Sequence, residues 1–241
     1  MELKLIHFYP DLMSLYGSYA NVAVLKRRLE DMGNAVTVET VAPGQTCDIT
    51  SGDFIFMGAG TERAQKAALA DFNRYESAVK VAAEDGVSML FAGTSMELLG
   101  KSITDDAGRE YAALGLAGFT SVQSKKRFVE DVYGATDLYP EPVVGFVNKS
   151  STISGVETPL LTSVQLGYGN EGLKTPEGFR YKNVIGSHLT GPILVKNPRL
   201  LDKVISAIYK KRGEALPEVL PTSQWTEDGY TITAEALKQR I

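Results

Sequence analysis

The stretch Val87–Gly100, VSMLFAGTSMELLG, constrains the fold of this chain more than any other. Mostly apolar residues end in a small-residue cluster, and the run Met96-Glu97-Leu98-Leu99 follows at once. That order predicts a buried strand, a tight turn and a helix start capped by Thr94 or Ser95. In open α/β sheets such a turn, at the carboxyl end of a strand, is where ligands and nucleophiles sit. Leu3–Phe8 reads as a first strand, broken by Pro10-Asp11. Ala20–Met32 then carries apolar residues at helical spacing up to a stop at Gly33. Ala35–Val41 alternates as a strand, so the chain opens with a strand–helix–strand crossover. Phe54–Met57 is another buried strand, running into Gly58-Ala59-Gly60-Thr61, whose small residues let backbone amides approach a ligand. Glu62–Asp85 is a long alanine-rich helical pattern ended by Gly86.

After Gly100 the pattern changes. Ser121–Tyr133, Val143–Phe146, Thr152–Ile153 and Ser163–Leu166 are short β-type segments separated by Gly, Asn and Pro turns, a β-rich segment near 119–170. Asn183–Leu189 is a further strand, Pro198–Lys211 a last helix and Gly213 its stop. The expected fold class is α/β, with a doubly wound, mostly parallel, flavodoxin-like sheet over residues 1–213. Residues 214–241 read as a Pro-containing linker and C-terminal arm with a short helix at Ala234–Arg240, either a flap on the body or a partner-binding arm.

With 241 residues, 44% of them hydrophobic, the chain can bury one sizeable core. A net charge of -4 argues against a nucleic-acid or anionic-membrane surface. The basic runs Lys125-Lys126-Arg127 and Lys210-Lys211-Arg212 mark a loop or a last helical turn. No apolar run approaches the ~20 residues of a membrane span. The opening MELKLIHFYP lacks the basic region, apolar core and cleavage site of a secretory signal, so a cytoplasmic protein is expected. The single cysteine, Cys47, excludes an internal disulfide and reads as a small buried hydrophobe. Two histidines, His7 and His188, are far apart in sequence and give no metal-ligand set. His7 reads as a core or edge residue of the first strand. Neither a Gly-rich dinucleotide fingerprint nor a GxxxxGK[ST] loop occurs, so no cofactor is expected. A flavodoxin-like binding module fits the fold, and fold alone is poor evidence of function.

Seven motifs in order carry a resemblance. Tyr9-Pro10-Asp11-Leu12-Met13-Ser14-Leu15-Tyr16-Gly17 with Asn21 is similar to YPDLxNLYGDRGN. Gly58-Ala59-Gly60-Thr61-Glu62-Arg63-Ala64-Gln65 is similar to GGGQDREQ, Gly145-Phe146-Val147-Asn148 to GFEN, and Gly167-Tyr168-Gly169-Asn170-Glu171-Gly172 to GxGNNG. Glu177-Gly178, Lys182-Asn183 and Gly191–Pro198 also match in spacing. Over roughly residues 3–212 the chain resembles class I glutamine amidotransferase domains of the cobyric-acid-synthase type, and within them the amidotransferase subunits of lipid II isoglutaminyl synthases. The resemblance implies a heterodimer with a Mur-ligase-like synthetase acting on a peptidoglycan precursor. Such a subunit hydrolyses glutamine and passes ammonia to the ligase, where a glutamate carboxyl becomes an amide with ATP.

Two positions depart from that pattern. The family's nucleophile motif CGGYQLLG reads here Gly93-Thr94-Ser95-Met96-Glu97-Leu98-Leu99-Gly100, which puts Gly93 at the cysteine position. Its base lies in TYLHGP, here Ser187-His188-Leu189-Thr190-Gly191-Pro192, which puts Thr190 at the histidine position. Glutamine hydrolysis through a thioester needs the thiolate and the imidazole together. Glycine at the elbow still suits a turn of positive φ. The leading expectation is therefore an amidotransferase-like subunit, a pseudoenzyme without glutaminase, beside a ligase that uses free ammonia or is regulated or scaffolded by this chain. The alternative is an active amidase or amidotransferase using Thr94 or Ser95 with His188, which shares a strand face with Thr190 if the backbone is extended.

Arg127 falls where the resemblance places an arginine that helps hold glutamine, and a guanidinium suits a carboxylate. Read without it, Arg127 is a solvated residue after two lysines. Gly58, Ala59 and Gly60 are either oxyanion amides, as in the family's loop, or a turn before a helix. Glu97 replaces the family's glutamine, where a carboxylate near a helix start is favourable but repels a thiolate or an incoming carboxylate. Asn148, Asn170 and Asn197 read as turn residues.

Overall fold

The computed structural model describes residues 1–241. Strand β1 (Glu2–Phe8) is followed by helix α1 (Ala20–Asp31), β2 (Ala35–Val41), β3 (Phe54–Met57), α2 (Glu62–Phe72), α3 (Glu76–Glu84) and β4 (Ser88–Ala92). A 3-10 stretch, Gly93–Leu99, leads into β5 (Ser102–Thr104), β6 (Glu110–Ala112), β7 (Thr120–Ala135), β8 (Val143–Ser154) and β9 (Ser163–Leu166). β10 (Phe179–Tyr181), β11 (Val184–Ser187), β12 (Leu189–Thr190), α4 (Ile193–Lys196), α5 (Pro198–Arg212) and α6 (Gln224–Lys238) complete the chain.

The first sheet runs β10-β11-β4-β3-β1-β2, parallel throughout except for the β10–β11 pair. Its strands alternate faces cleanly. Leu3, Leu5, Phe54, Phe56, Leu90 and Ala92 point into one core with α1 and α5, while Ile6, Phe8, Ile55, Met57, Met89 and Phe91 point into the other with α2 and α3. Both faces being covered explains why these strands read as unbroken apolar runs. Winding outward from β1 on both sides places the loops after β1, β3 and β4 at one edge, the crevice where α/β folds hold ligands.

The second sheet runs β12-β8-β7-β5-β6, with β9 paired to β7. It is wider than the expected 119–170 segment. Val143–Phe146 and Thr152–Ile153 belong to one strand, β8, which pairs along most of β7. The ladder slips between Gln123 and Phe128, a bulge that displaces Ser124–Arg127 from regular pairing. Two other expectations need correction. Glu62–Asp85 is broken at Asn73–Tyr75, where a 3-10 turn separates α2 from α3. Asn183–Leu189 is two strands, because the chain leaves β11 in the first sheet and joins β8 in the second as β12. His188 sits at that switch. Beyond α5, Gly213 takes a left-handed conformation (φ +69°) and ends the helix as expected. The last helix is longer than expected and lies against β7 and β8, with Tyr230 donating to the Pro142 carbonyl (2.8 Å) and Arg240 pairing with Glu130 and Asp131. No helix is long and apolar enough to cross a membrane.

Candidate active site

β4 delivers its last residue, Ala92, to Gly93, whose φ of +67° makes the sharp turn into Gly93–Leu99. The β3–α2 loop lies beside it. The β1–α1 loop closes over that loop, with the Leu15 amide donating to the Ala59 carbonyl (2.9 Å). β12 brings Thr190 to the elbow, the sheet switch brings His188, and the β7 bulge brings Arg127. A cavity of about 230 Å³ opens between them. Ala59, Gly60, Gly93, Thr94, Arg127, His188 and Thr190 all line it, whereas Gly58 and Ser95 do not.

The elbow keeps its shape and has closed over its own reactive position. A Cβ built on Gly93 would lie 2.5 Å from the Cβ of Ala59 and 3.1 Å from its Cα. A side chain at 93 therefore collides with a methyl group that the family's GGG loop lacks. Thr190 offers no base, since its hydroxyl donates to the Phe146 carbonyl (3.0 Å).

Neither alternative nucleophile meets His188. The Thr94 hydroxyl donates to the Gly60 carbonyl and accepts from the Gly60 amide, both at 3.0 Å. The Ser95 hydroxyl is buried between the Met57 (2.8 Å) and Ala92 (3.0 Å) carbonyls. Nor does either residue cap a helix: the residue before the 3-10 stretch is Ala92, with no side-chain cap. The loop amides are likewise taken, Gly60 by Thr94 and Ala59 by the Ser18 hydroxyl at 3.4 Å. An oxyanion would have to displace both hydroxyls.

His188 has two carboxylate partners that the sequence reading did not assign. Its Nε2 lies 3.0 Å from Glu97 Oε1, and its backbone amide donates to Glu177 Oε1 (2.7 Å). Ser151 donates to Glu97 Oε1 (2.6 Å), and Ser187 donates to Glu177 Oε2 (2.8 Å). All five side chains are at most 1% exposed. Burial works to raise the Glu97 carboxyl, but the His188 hydrogen bond and charge, with the Ser151 hydroxyl, outweigh it and hold the group below the usual carboxylate range. Burial prevails at Glu177 and pushes it up, against the neighbouring His188. Burial also depresses Lys149, whose Nζ donates to the Gly169 and Asn170 carbonyls, to about 8. In the family motifs the positions of Glu97 and His188 read glutamine and tyrosine. Here both have changed, into a buried acid–base pair. One ring nitrogen of His188, Nδ1, is buried and unpartnered.

Arg127 is solvent-exposed, and its guanidinium is held in place by hydrogen bonds. Its Nε donates to Asn148 Oδ1 (2.8 Å), and its NH groups reach Glu62 Oε1 (3.0 Å) and the Asn148 carbonyl (3.2 Å). Asn148 is not the turn residue expected from sequence: it lies inside β8, paired with Val129 of β7, and its side chain and carbonyl position Arg127. Glu62 also accepts from Ser150 (2.7 Å); burial opposes ionisation, yet these donors keep its carboxyl below the usual range. A guanidinium and a carboxylate side by side on one cavity wall match the two ends of a zwitterionic amino acid. Cys47 and His7 line no part of it. Burial pushes the Cys47 thiol up, away from thiolate reactivity.

Residues 4–198 match the family model described as the CobB/CobQ-like glutamine amidotransferase domain. The lipid II isoglutaminyl synthase (glutamine-hydrolyzing) subunit GatD of Streptococcus pneumoniae is 32% identical over 214 residues, covering 88% of this chain and 82% of that protein. Its namesake from Staphylococcus aureus is 30% identical over 213 residues, covering 88% and 86%. A crystal structure of a glutamine amidotransferase from Thermotoga maritima superposes with a TM-score of 0.50 over 98% of this chain and 95% of the other, at 9% identity, a likeness of fold alone. Sheet order, elbow and motif order thus agree with the sequence match: the chain belongs to the CobB/CobQ-like glutamine amidotransferase family.

Proposed function

We propose that this chain is the amidotransferase-type subunit of a lipid II isoglutaminyl synthase-like complex, in which glutamine hydrolysis has been lost and the binding cavity kept. The observation that carries this reading is the elbow, where Gly93 has no side chain and Ala59 fills the space one would need. Thioester formation needs a thiolate at that turn and an imidazole to activate it. Loss of such groups leaves only ~10³–10⁴-fold catalysis over water, from oxyanion stabilisation and binding, and here Ser18 and Thr94 occupy the loop amides as well.

On this reading the partner is a Mur-ligase-like synthetase in the cytoplasm. Its acceptor is a peptidoglycan precursor, and its ammonia comes from solution. The cavity beside Arg127 and Glu62 holds a zwitterionic amino acid as an effector rather than a substrate. The test co-expresses the chain with the synthetase encoded beside it and follows amidation of the precursor with either ammonium or glutamine as nitrogen source. Ammonium supports amidation and glutamine does not. Glutamine-dependent amidation that matches ammonium would overturn the proposal, as would two proteins that fail to co-purify.

A further inference from the structure

At the opposite end of β4 from the elbow lies a second cavity, of about 220 Å³, between the start of β4, the β10–β11 turn and α5. Four cationic side chains line it, Arg180, Lys182, Lys203 and Lys210, and no carboxylate does. That is unexpected in a chain of net charge -4. Arg180 pairs with Asp137 and Lys182 with Glu84, carboxylates that are themselves 59% and 55% exposed. Lys203 and Lys210, two turns apart on one face of α5, pair with nothing. The cavity therefore carries two uncompensated positive charges. Between them its wall is aliphatic, formed by Leu138, Ile185, Val204 and Ala207. Ser88, only 1% exposed, also lines it.

We propose that this cavity binds a small organic phosphate monoester. The phosphoryl dianion sits between Lys203 and Lys210 and accepts from Ser88, and the organic group lies against the aliphatic wall. A phosphate monoester carries close to two negative charges at neutral pH, which balances the two free lysines. Charge-assisted hydrogen bonds from lysine make such a contact stronger than a neutral one. The volume exceeds what a bare phosphate fills, so the ester group supplies part of the affinity.

Calorimetric titration of the full chain with phenyl phosphate, inorganic phosphate and benzenesulfonate tests this. One saturable site for phenyl phosphate is expected, about tenfold tighter than for inorganic phosphate, the effect of taking roughly 60 Å² of apolar surface out of water. Benzenesulfonate, with one charge, binds more weakly, and added salt weakens all three. Lys203→Gln with Lys210→Gln, both exposed, abolishes binding without altering the melting curve, and Ser88→Ala weakens it several-fold. The proposal is overturned if phenyl phosphate shows no saturable binding, if binding survives the double lysine variant, or if benzenesulfonate binds as tightly as phenyl phosphate.

Discussion

At the scale of the residue, three substitutions seal the elbow. On the proposed reading Gly93 stands where the family motif has its cysteine, Ala59 fills the space a side chain there would need, and the Thr94 hydroxyl occupies the Gly60 amide. Restoring the thiol and imidazole alone is thus insufficient. Gly93→Cys with Thr190→His is expected to release no glutamate from glutamine, because the new side chain meets Ala59. Release should first appear when Ala59→Gly and Thr94→Gly are added; a double variant that is already active would show that the pocket was open all along. The Glu97–His188 pair makes a second prediction. Glu97→Ala leaves a buried imidazole unmatched and should cost about 3–5 kcal/mol in urea unfolding. Glu97→Gln and His188→Tyr together should cost less than the sum of the two single changes; strict additivity would mean the pair is not coupled. His7 supplies a third. Burial pushes its imidazole from 6.5 down to about 4. As pH falls through that window the unfolded chain takes up a proton that the folded chain refuses, so stability drops by about 3 kcal/mol. His7→Leu should flatten the acid side of the unfolding curve between those values. An unchanged slope would refute the assignment.

At the scale of the element, the parallel strands were legible because burial on both faces leaves only apolar residues in them. The Val87–Gly100 strand and turn were legible for the same reason, since Ser88–Ala92 and Gly93–Leu99 are all buried. Its expected α-helix is instead a seven-residue 3-10 stretch that ends at Gly100, where a Cβ would strike Phe119. The break between β11 and β12 was hidden because one apolar run, Val184–Leu189, serves two sheets in succession. The same switch hid the carboxylates beside His188: Glu97 and Glu177 are 91 and 11 residues away in sequence. No spacing rule reveals a contact made by topology. The arm after Gly213 is also an element with a prediction. α6 buries only Leu237 and is tied by Tyr230, Arg240 and the Arg199–Glu227 pair. Removing residues 214–241 should leave a cooperatively folded body with a melting temperature lowered by a few degrees; loss of the cooperative transition would show that the arm belongs to the core.

At the scale of the whole molecule, family and sheet winding were readable from motif order, while the state of the site was readable only in part. On the proposed reading the two missing groups, at 93 and 190, are found by aligning the chain to the family motifs. The closure around them did not, since Ala59 and Thr94 look like ordinary small loop residues until the elbow is folded beside them. Under the proposed function, a chain with a glutaminase fold has no glutaminase activity. The most direct measurement is glutamate release when the purified chain, alone and with its synthetase partner, is incubated with glutamine. The expected result is no release above the no-enzyme background in either case. Release above background that disappears in His188→Ala would contradict it.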